Sequence, residues 1–236
     1  MQQTNVPPAS TDTTVRGASD DRAAVRGASS DRTAGRGASS DRAAVRGASD
    51  DRAAVRGADV IAQKLAAAGC THAFGIPGGE VLTIIDALAQ AGIAFHLTKH
   101  ENFAGFLAEG VWHATGAPGI LVATIGPGVA NAVNVIANAE QDRVPLVVIT
   151  GCMDGADADT YTHQLFDHQA VLSPITKASY RLNAGSIDAV MDKALTVMAS
   201  GQPGPVHLDL PIKVAEAAAA PASPLPARSG PSVPAE

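Results

Sequence analysis

Gly119-Ile-Leu-Val-Ala-Thr124 and Val144-Pro-Leu-Val-Val-Ile-Thr150 decide the fold. Between them lie Gly126-Pro-Gly128 and a helix-like run to about Ala139. A strand with one wet face alternates apolar and polar residues, whereas these two runs are apolar almost throughout. Two such strands joined through a helix describe a parallel pair buried on both faces.

The same alternation extends outward. Ala58 to Ala68 is helix-like, with Val60, Ile61, Leu65 and Ala68 on one side and Gly69 as a stop. Cys70 to Ile76 reads as a strand ending in Pro77-Gly78-Gly79. Val81 to Ala91 is a helix whose Val81, Ile84, Ile85 and Leu88 form a buried stripe. Ala94 to Thr98 is a strand, and Asn102 to Thr115 a helix carrying Phe103, Phe106, Leu107 and Val111; Phe103 and Trp112 are expected in the core. Beyond Thr150, Ile175 to Leu182 is a strand, Ile187 to Ala199 a helix and Pro205 to Leu210 a last strand. The fold expected is a three-layer α/β/α domain with a roughly six-stranded parallel sheet, flanked by disordered N- and C-terminal tails.

Composition sets the boundaries: a tail at 1–56, a domain at 57–214 and an Ala/Pro-rich linker at 215–236. In the tail a ten-residue motif starts at Val15, Val25, Gly35, Val45 and Val55, and no Phe, Tyr or Trp precedes Phe74. One valine per repeat builds no apolar face, so disorder is expected. The linker leads to the expectation of a further domain beyond it. Of 17 basic and 23 acidic residues, nine Arg and seven Asp lie in 1–57, leaving eight basic against sixteen acidic, a net of −8, in the rest. That balance disfavours nucleic acid and anionic membranes as partners. No apolar run approaches the ~20 residues of a membrane span. Cys70 and Cys152 lack metal-type spacing and read as reduced thiols of a cytoplasmic protein.

In a parallel sheet, ligands bind beyond the carboxyl ends of the strands. That edge collects Pro77-Gly78-Gly79, Lys99-His100-Glu101, Gly126-Pro127-Gly128 and the segment after Thr150. Each glycine turn can equally be a plain chain reversal, and Glu101 a helix-start carboxylate favoured by the macrodipole. A dinucleotide fingerprint is missing, since Gly75-Ile-Pro-Gly78-Gly79 does not match it, and no phosphate-binding Gly-x4-Gly-Lys-Ser/Thr occurs. The edge suits a flat, mostly uncharged ring better than a diphosphate. His100, His163 and His168 read as polar loop residues rather than proton-transfer groups, and no metal site is expected from them.

Phe74-Gly-Ile-Pro-Gly-Gly79, Lys99-His-Glu101, Ala108-Glu-Gly110, Ala123-Thr-Ile-Gly-Pro-Gly-Val-Ala-Asn131, Pro145-Leu-Val-Val-Ile-Thr-Gly151, Pro174-Ile-Thr-Lys177 and Gly201-Gln-Pro-Gly-Pro-Val-His-Leu-Asp-Leu-Pro211 together carry a resemblance. From about Arg56 to Val214, the chain resembles the N-terminal, pyrimidine-binding domain of thiamine-diphosphate enzymes, within the acetolactate synthase and 2-oxoacid decarboxylase group. The resemblance implies that Glu101 is catalytic and binds the cofactor, hydrogen-bonding a ring nitrogen of its aminopyrimidine and favouring the imino tautomer. It implies that Pro77, Gly78, Gly126 and Asn131 shape the pyrimidine pocket, and it aligns Gln164, more weakly, with a glutamine near the substrate. There an aromatic residue precedes the glutamine, whereas here His163 does; Cys152-Met-Asp154 stands where synthases often show Gln-Val-Pro.

The resemblance also implies what the chain lacks. In the family a separate domain bearing Gly-Asp-Gly holds the diphosphate and its Mg²⁺, and no Gly-Asp-Gly occurs here. The chain is expected to need a diphosphate-binding domain or subunit and to form a homo- or hetero-oligomer. Flavin (FAD) binding stays open. So does the alternative of a non-catalytic remnant or dimerising module of the same fold.

Overall fold

The computed structural model describes residues 55–226. The decapeptide repeats, expected to be disordered, and the last ten residues of the linker lie outside the described residues. The elements in chain order are β1 (Val55–Arg56), α1 (Gly57–Ala67), β2 (His72–Gly75), α2 (Leu82–Gln90), β3 (Ala94–Leu97), α3 (Glu101–Thr115), β4 (Gly119–Ala123), α4 (Pro127–Gln141), β5 (Leu146–Cys152), α5 (Gly155–Ala158), α6 (His168–Leu172), β6 (Ala178–Arg181), α7 (Ile187–Ala199), β7 (Val206–Pro211), α8 (Ile212–Glu216) and β8 (Ala218–Ala219).

Six strands form one parallel sheet in the order β3-β2-β4-β5-β7-β6. Alternate residues of the central strands feed two cores. Ile120, Val122, Val147, Ile149, Val206 and Leu208 face the layer built by α1, α2 and α7. Leu121, Leu146 and Val148 face the layer of α3, α4 and α6. Being covered on both faces explains why β4 is apolar throughout and β5 nearly so, Thr150 being its polar exception. Strand order reverses between β2 and β4, the topological position at which such sheets bind ligands.

The elements follow the expected pattern, with shifted ends. Ser173–Ile175 forms a 3-10 turn, and β6 begins only at Ala178. Pro174 explains the delay, because it has no N–H to give a ladder. Regular structure also continues past Val214, where apolar periodicity fades. Val55 and Arg56 pair antiparallel with Ala219 and Ala218, and Ala222 and Leu225 pack on the core.

The face of α3 departs from expectation. Phe103 is 57% exposed rather than buried, Phe106 is exposed, and Trp112 is only partly buried. The buried residues are Glu101, Ala104, Gly105, Ala108 and Glu109. Close approach is the cause: a Cβ on Gly119 would lie 2.2 Å from the Ala108 carbonyl oxygen, and one on Gly105 would lie 2.3 Å from a Val135 methyl. A helix seated this tightly has room inward only for small side chains.

Candidate functional site

Glu101 is the first residue of α3 and is 5% exposed. Two caps put it there. Thr98 ends β3 by donating from its N–H to the Gly75 carbonyl at 2.9 Å, and its hydroxyl donates to the His100 carbonyl at 3.3 Å. His100 then caps the helix, its Nδ1 accepting from the Asn102 N–H at 3.2 Å. The carboxylate sits where the helix N-terminus favours negative charge. Its Oε2 accepts from Asn131 Nδ2 at 3.0 Å. Asn134 to Asn102 and Asn138 to Glu109 repeat that cross-link along the α3–α4 seam.

The glycine turns close around this carboxylate. Gly78 stands against Thr124, whose methyl would meet an added Cβ at 2.4 Å. Thr124 stands equally close to Gly128, where a Cβ would lie 2.7 Å from the hydroxyl and 3.3 Å from Glu101 Oε1. Any larger residue at 128 would fill the space beside Oε1. Gly126 caps α4 with φ of 65°, a conformation that suits glycine, and Pro127 supplies the first helical position. A Cβ on Gly126 would lie 2.1 Å from the Gln164 carbonyl oxygen. Glu101, Asn131, Gly78, Gly126 and Gln164 therefore share one neighbourhood. Pro77 is adjacent in the chain but exposed, and no side-chain contact ties it to Glu101.

The fit to a ring is a matter of free groups. Glu101 has one oxygen held by Asn131 and, among the described residues, no hydrogen bond to the other. A buried carboxyl with one uncommitted oxygen, beside a space kept open by a missing Cβ, suits the edge of a flat heterocycle carrying ring nitrogens. Among the described residues, no group of three or more His, Cys, Asp or Glu is disposed to hold a metal ion.

Sequence reasoning missed a second polar cluster on this edge. Asp209 and His207 of β7, Thr150 of β5, and Ser179 and Arg181 of β6 share one face of the sheet, and His168 of α6 covers them. The donors run in one direction. Ser179 Oγ lies 2.7 Å from His207 Nδ1, and His207 Nε2 lies 2.8 Å from Thr150 Oγ1. The Thr150 hydroxyl donates to Asp209 Oδ1 at 2.8 Å, so His207 donates from Nε2 and accepts at Nδ1. His168 Nδ1 lies 2.9 Å from Asp209 Oδ1, and Arg181 donates to Oδ2 at 3.2 Å. Burial pushes His207 down to about 4 despite the neighbouring Asp209. Burial works to raise Asp209, but His168 and Thr150 outweigh it and hold the carboxyl below its ordinary value. Cys152 and Cys70 are free, buried thiols whose pKa burial drives up, Cys70 to about 12. A cavity of about 410 Å³ adjoins the cluster, lined by Ile125, Cys152, Phe166, His168, Arg181 and Asp209 among others.

His168, read as a polar loop residue, is 3% exposed and fully engaged, while His100 and His163 are exposed. One sequence signal pointed to the cluster: His207 and Asp209 alternate within an otherwise apolar strand, which puts both on one face.

Fold and site together define a parallel α/β ligand-binding domain with a buried glutamate at its topological switch point. Residues 55–171 match the thiamine pyrophosphate enzyme, N-terminal TPP binding domain, and the chain belongs to that family. It is 38% identical over 156 residues to the acetolactate synthase isozyme 1 large subunit of Escherichia coli, covering 65% of this chain and 28% of that protein. The acetolactate synthase large subunit IlvB1 of Mycobacterium tuberculosis is likewise 38% identical over 156 residues, covering 65% of this chain and 25% of that protein. The acetolactate synthase of Bacillus subtilis is 34% identical over 155 residues, covering 65% and 27%. The chain thus spans about a quarter of the length of the curated relatives it matches. No helix among the described residues is long and apolar enough to cross a membrane.

Proposed function

We propose that this chain supplies the aminopyrimidine half of a thiamine-diphosphate site in an acetolactate-synthase-like 2-oxoacid decarboxylase or carboligase. The observation that carries this reading is Glu101, buried at the switch point with one oxygen held by Asn131 and the other uncommitted. When bound, thiamine diphosphate supplies the carbanion chemistry. Glu101 exchanges a proton with the ring at its free oxygen. Asn131 fixes the carboxyl's rotation, and Gly78, Gly126 and Gly128 keep backbone rather than side chains around the ring. Gln164, against Gly126, borders the substrate side.

The diphosphate and its Mg²⁺ are held by a second domain or subunit, because the 236 residues contain no Gly-Asp-Gly. Leu97 and Phe103, four residues before and two after Glu101, are 70% and 57% exposed and offer an apolar face to that partner. The assembly is an oligomer of the cytoplasm, in keeping with two unpaired thiols.

Isothermal titration of thiamine diphosphate with Mg²⁺ tests the reading, into the chain alone and mixed with a Gly-Asp-Gly partner while pyruvate turnover is followed. Binding and turnover are expected in the mixture. Glu101→Gln is expected to keep the fold and lower turnover on the order of 100-fold or more. Near wild-type turnover by Glu101→Gln overturns the role of Glu101. Absence of binding with every partner identifies a non-catalytic module instead.

A further inference from the structure

Gly126 is held from two directions by the chain that returns after β5. The Gln164 carbonyl closes on its Cα side. The Gly126 N–H, which precedes α4 and has no partner within the helix, donates to His168 Nε2 at 3.1 Å in a buried contact. An imidazole that accepts at Nε2 carries its hydrogen on Nδ1, and Nδ1 faces Asp209 Oδ1 at 2.9 Å. One tautomer satisfies both contacts, and the other satisfies neither. Asp209 is itself anchored from β5 by Thr150 and from β6 by Arg181. A continuous line of hydrogen bonds therefore runs from the far strands of the sheet to the backbone of the turn beside Glu101.

We propose that His168 is a positioning residue, which, oriented by Asp209, locks the Gly126 peptide and so places the Gly126–Gly128 turn. Without an acceptor, that N–H would be a buried, unpaired donor. Rotation of the Gly126 peptide would leave that donor without its partner and disturb the turn that carries Gly128, which stands beside Glu101 Oε1. Phe166 meets the His168 ring edge-to-face at 5.1 Å and holds its plane. The consequence for a bound aminopyrimidine rests on the function proposed above. The positioning itself does not.

Nitrogen NMR of the labelled 236-residue chain tests it first. The His168 imidazole, assigned by its loss in His168→Gln, is expected to show a protonated Nδ1 and a bare Nε2. The opposite tautomer overturns the proposal. Amide hydrogen exchange gives the second arm. In His168→Phe, the Gly126 amide is expected to exchange roughly tenfold faster or more, while the Leu121 and Val148 amides of the sheet keep their rates. His168→Gln presents a carboxamide oxygen in place of Nε2 and is expected to bring Gly126 back to within about threefold of wild type. Unchanged exchange at Gly126, or acceleration spread evenly over the sheet, overturns the proposal. If His168→Phe does not fold, the tautomer and the Gln variant decide. None of these readouts needs cofactor, so failed cofactor titration overturns the functional reading and leaves the Gly126 result standing.

Discussion

His207 rests on two hydroxyls, Ser179 on one ring nitrogen and Thr150 on the other, in a site with 0% exposure. A neutral ring satisfies both contacts, and a second ring proton, on Nδ1, would force the Ser179 hydroxyl to turn from donor to acceptor. Burial holds its pKa near 4, whereas an imidazole in the unfolded chain titrates near 6.5. Between those values the unfolded chain binds a proton that the folded chain refuses. Stability is therefore intact above pH 6.5, falls as pH drops toward 4, and loses roughly 3 kcal/mol in full from this group. Asp209, held below its ordinary value, adds a loss at still lower pH in the same direction. His207→Gln is expected to flatten the decline in urea midpoint between pH 7 and pH 4.5 relative to wild type. Parallel declines in the two proteins would show that His207 is not the titrating group. Such residues were hard to see in the sequence. Glu101 stood out because a carboxylate opens a helix between two glycine turns. Asp209 and His168 are 41 positions apart, and only the strand register and the return of α6 bring them together.

Elements were legible where one physical demand governed them. Strands β4 and β5 are wholly buried on both faces, so all but Thr150 among their side chains report the same demand for apolar groups. Helix α3 answers two demands that a periodicity argument cannot separate. Its large apolar residues, Phe103 and Phe106, look outward, and its inward stripe is Ala104, Gly105 and Ala108. The stripe is small because α3 presses on both β4 and α4, and that closeness lets Asn131 reach Glu101. Gly105 is the tightest point of the α3–α4 seam, with Val135 methyls 2.3 and 2.8 Å from where its Cβ would be. Gly105→Ala is expected to destabilise the fold by about 1–3 kcal/mol through overpacking, in spite of alanine's better helix propensity. Val135→Ala in the same chain is expected to recover more than half of that loss. A double-mutant cycle from urea unfolding measures the coupling. Strict additivity of the two changes would mean that the seam yields elsewhere and that Gly105 does not set it.

The two ends of the described chain meet on one side of the molecule. A ladder of two residues per strand, β1 with β8, is too short to persist unaided. Lys64 of α1 supplies the rest. Its side chain is 1% exposed, and its ammonium lies 2.6 Å from Asp192, 3.0 Å from Asp188 and 3.0 Å from the Ser223 hydroxyl. Burial alone would lower its pKa, but the two carboxylates more than offset that and hold it raised. Ser223 passes the contact on, donating from its N–H and its hydroxyl to Asp188 at 2.9 and 2.6 Å. One buried cation thus ties α1, α7 and the segment after β8. Composition marked that segment as a linker because Ala and Pro carry no periodicity, and a tie made by a lysine on a distant helix leaves no local trace. Lys64→Met keeps the length and apolar stem but removes three donors. The two aspartates are partly solvated, so the expected loss is about 1–2 kcal/mol, below that for a fully buried pair. The sharper expectation is local: residues 220–226 become cleavable under limited proteolysis at protease levels that leave the same residues of wild type uncut. Ser223→Ala should release the same segment with a smaller fall in urea midpoint. Wild-type resistance of residues 220–226 in both variants would mean that Leu225 and Ala222 hold the segment by packing alone, and that Lys64 serves only to join α1 to α7.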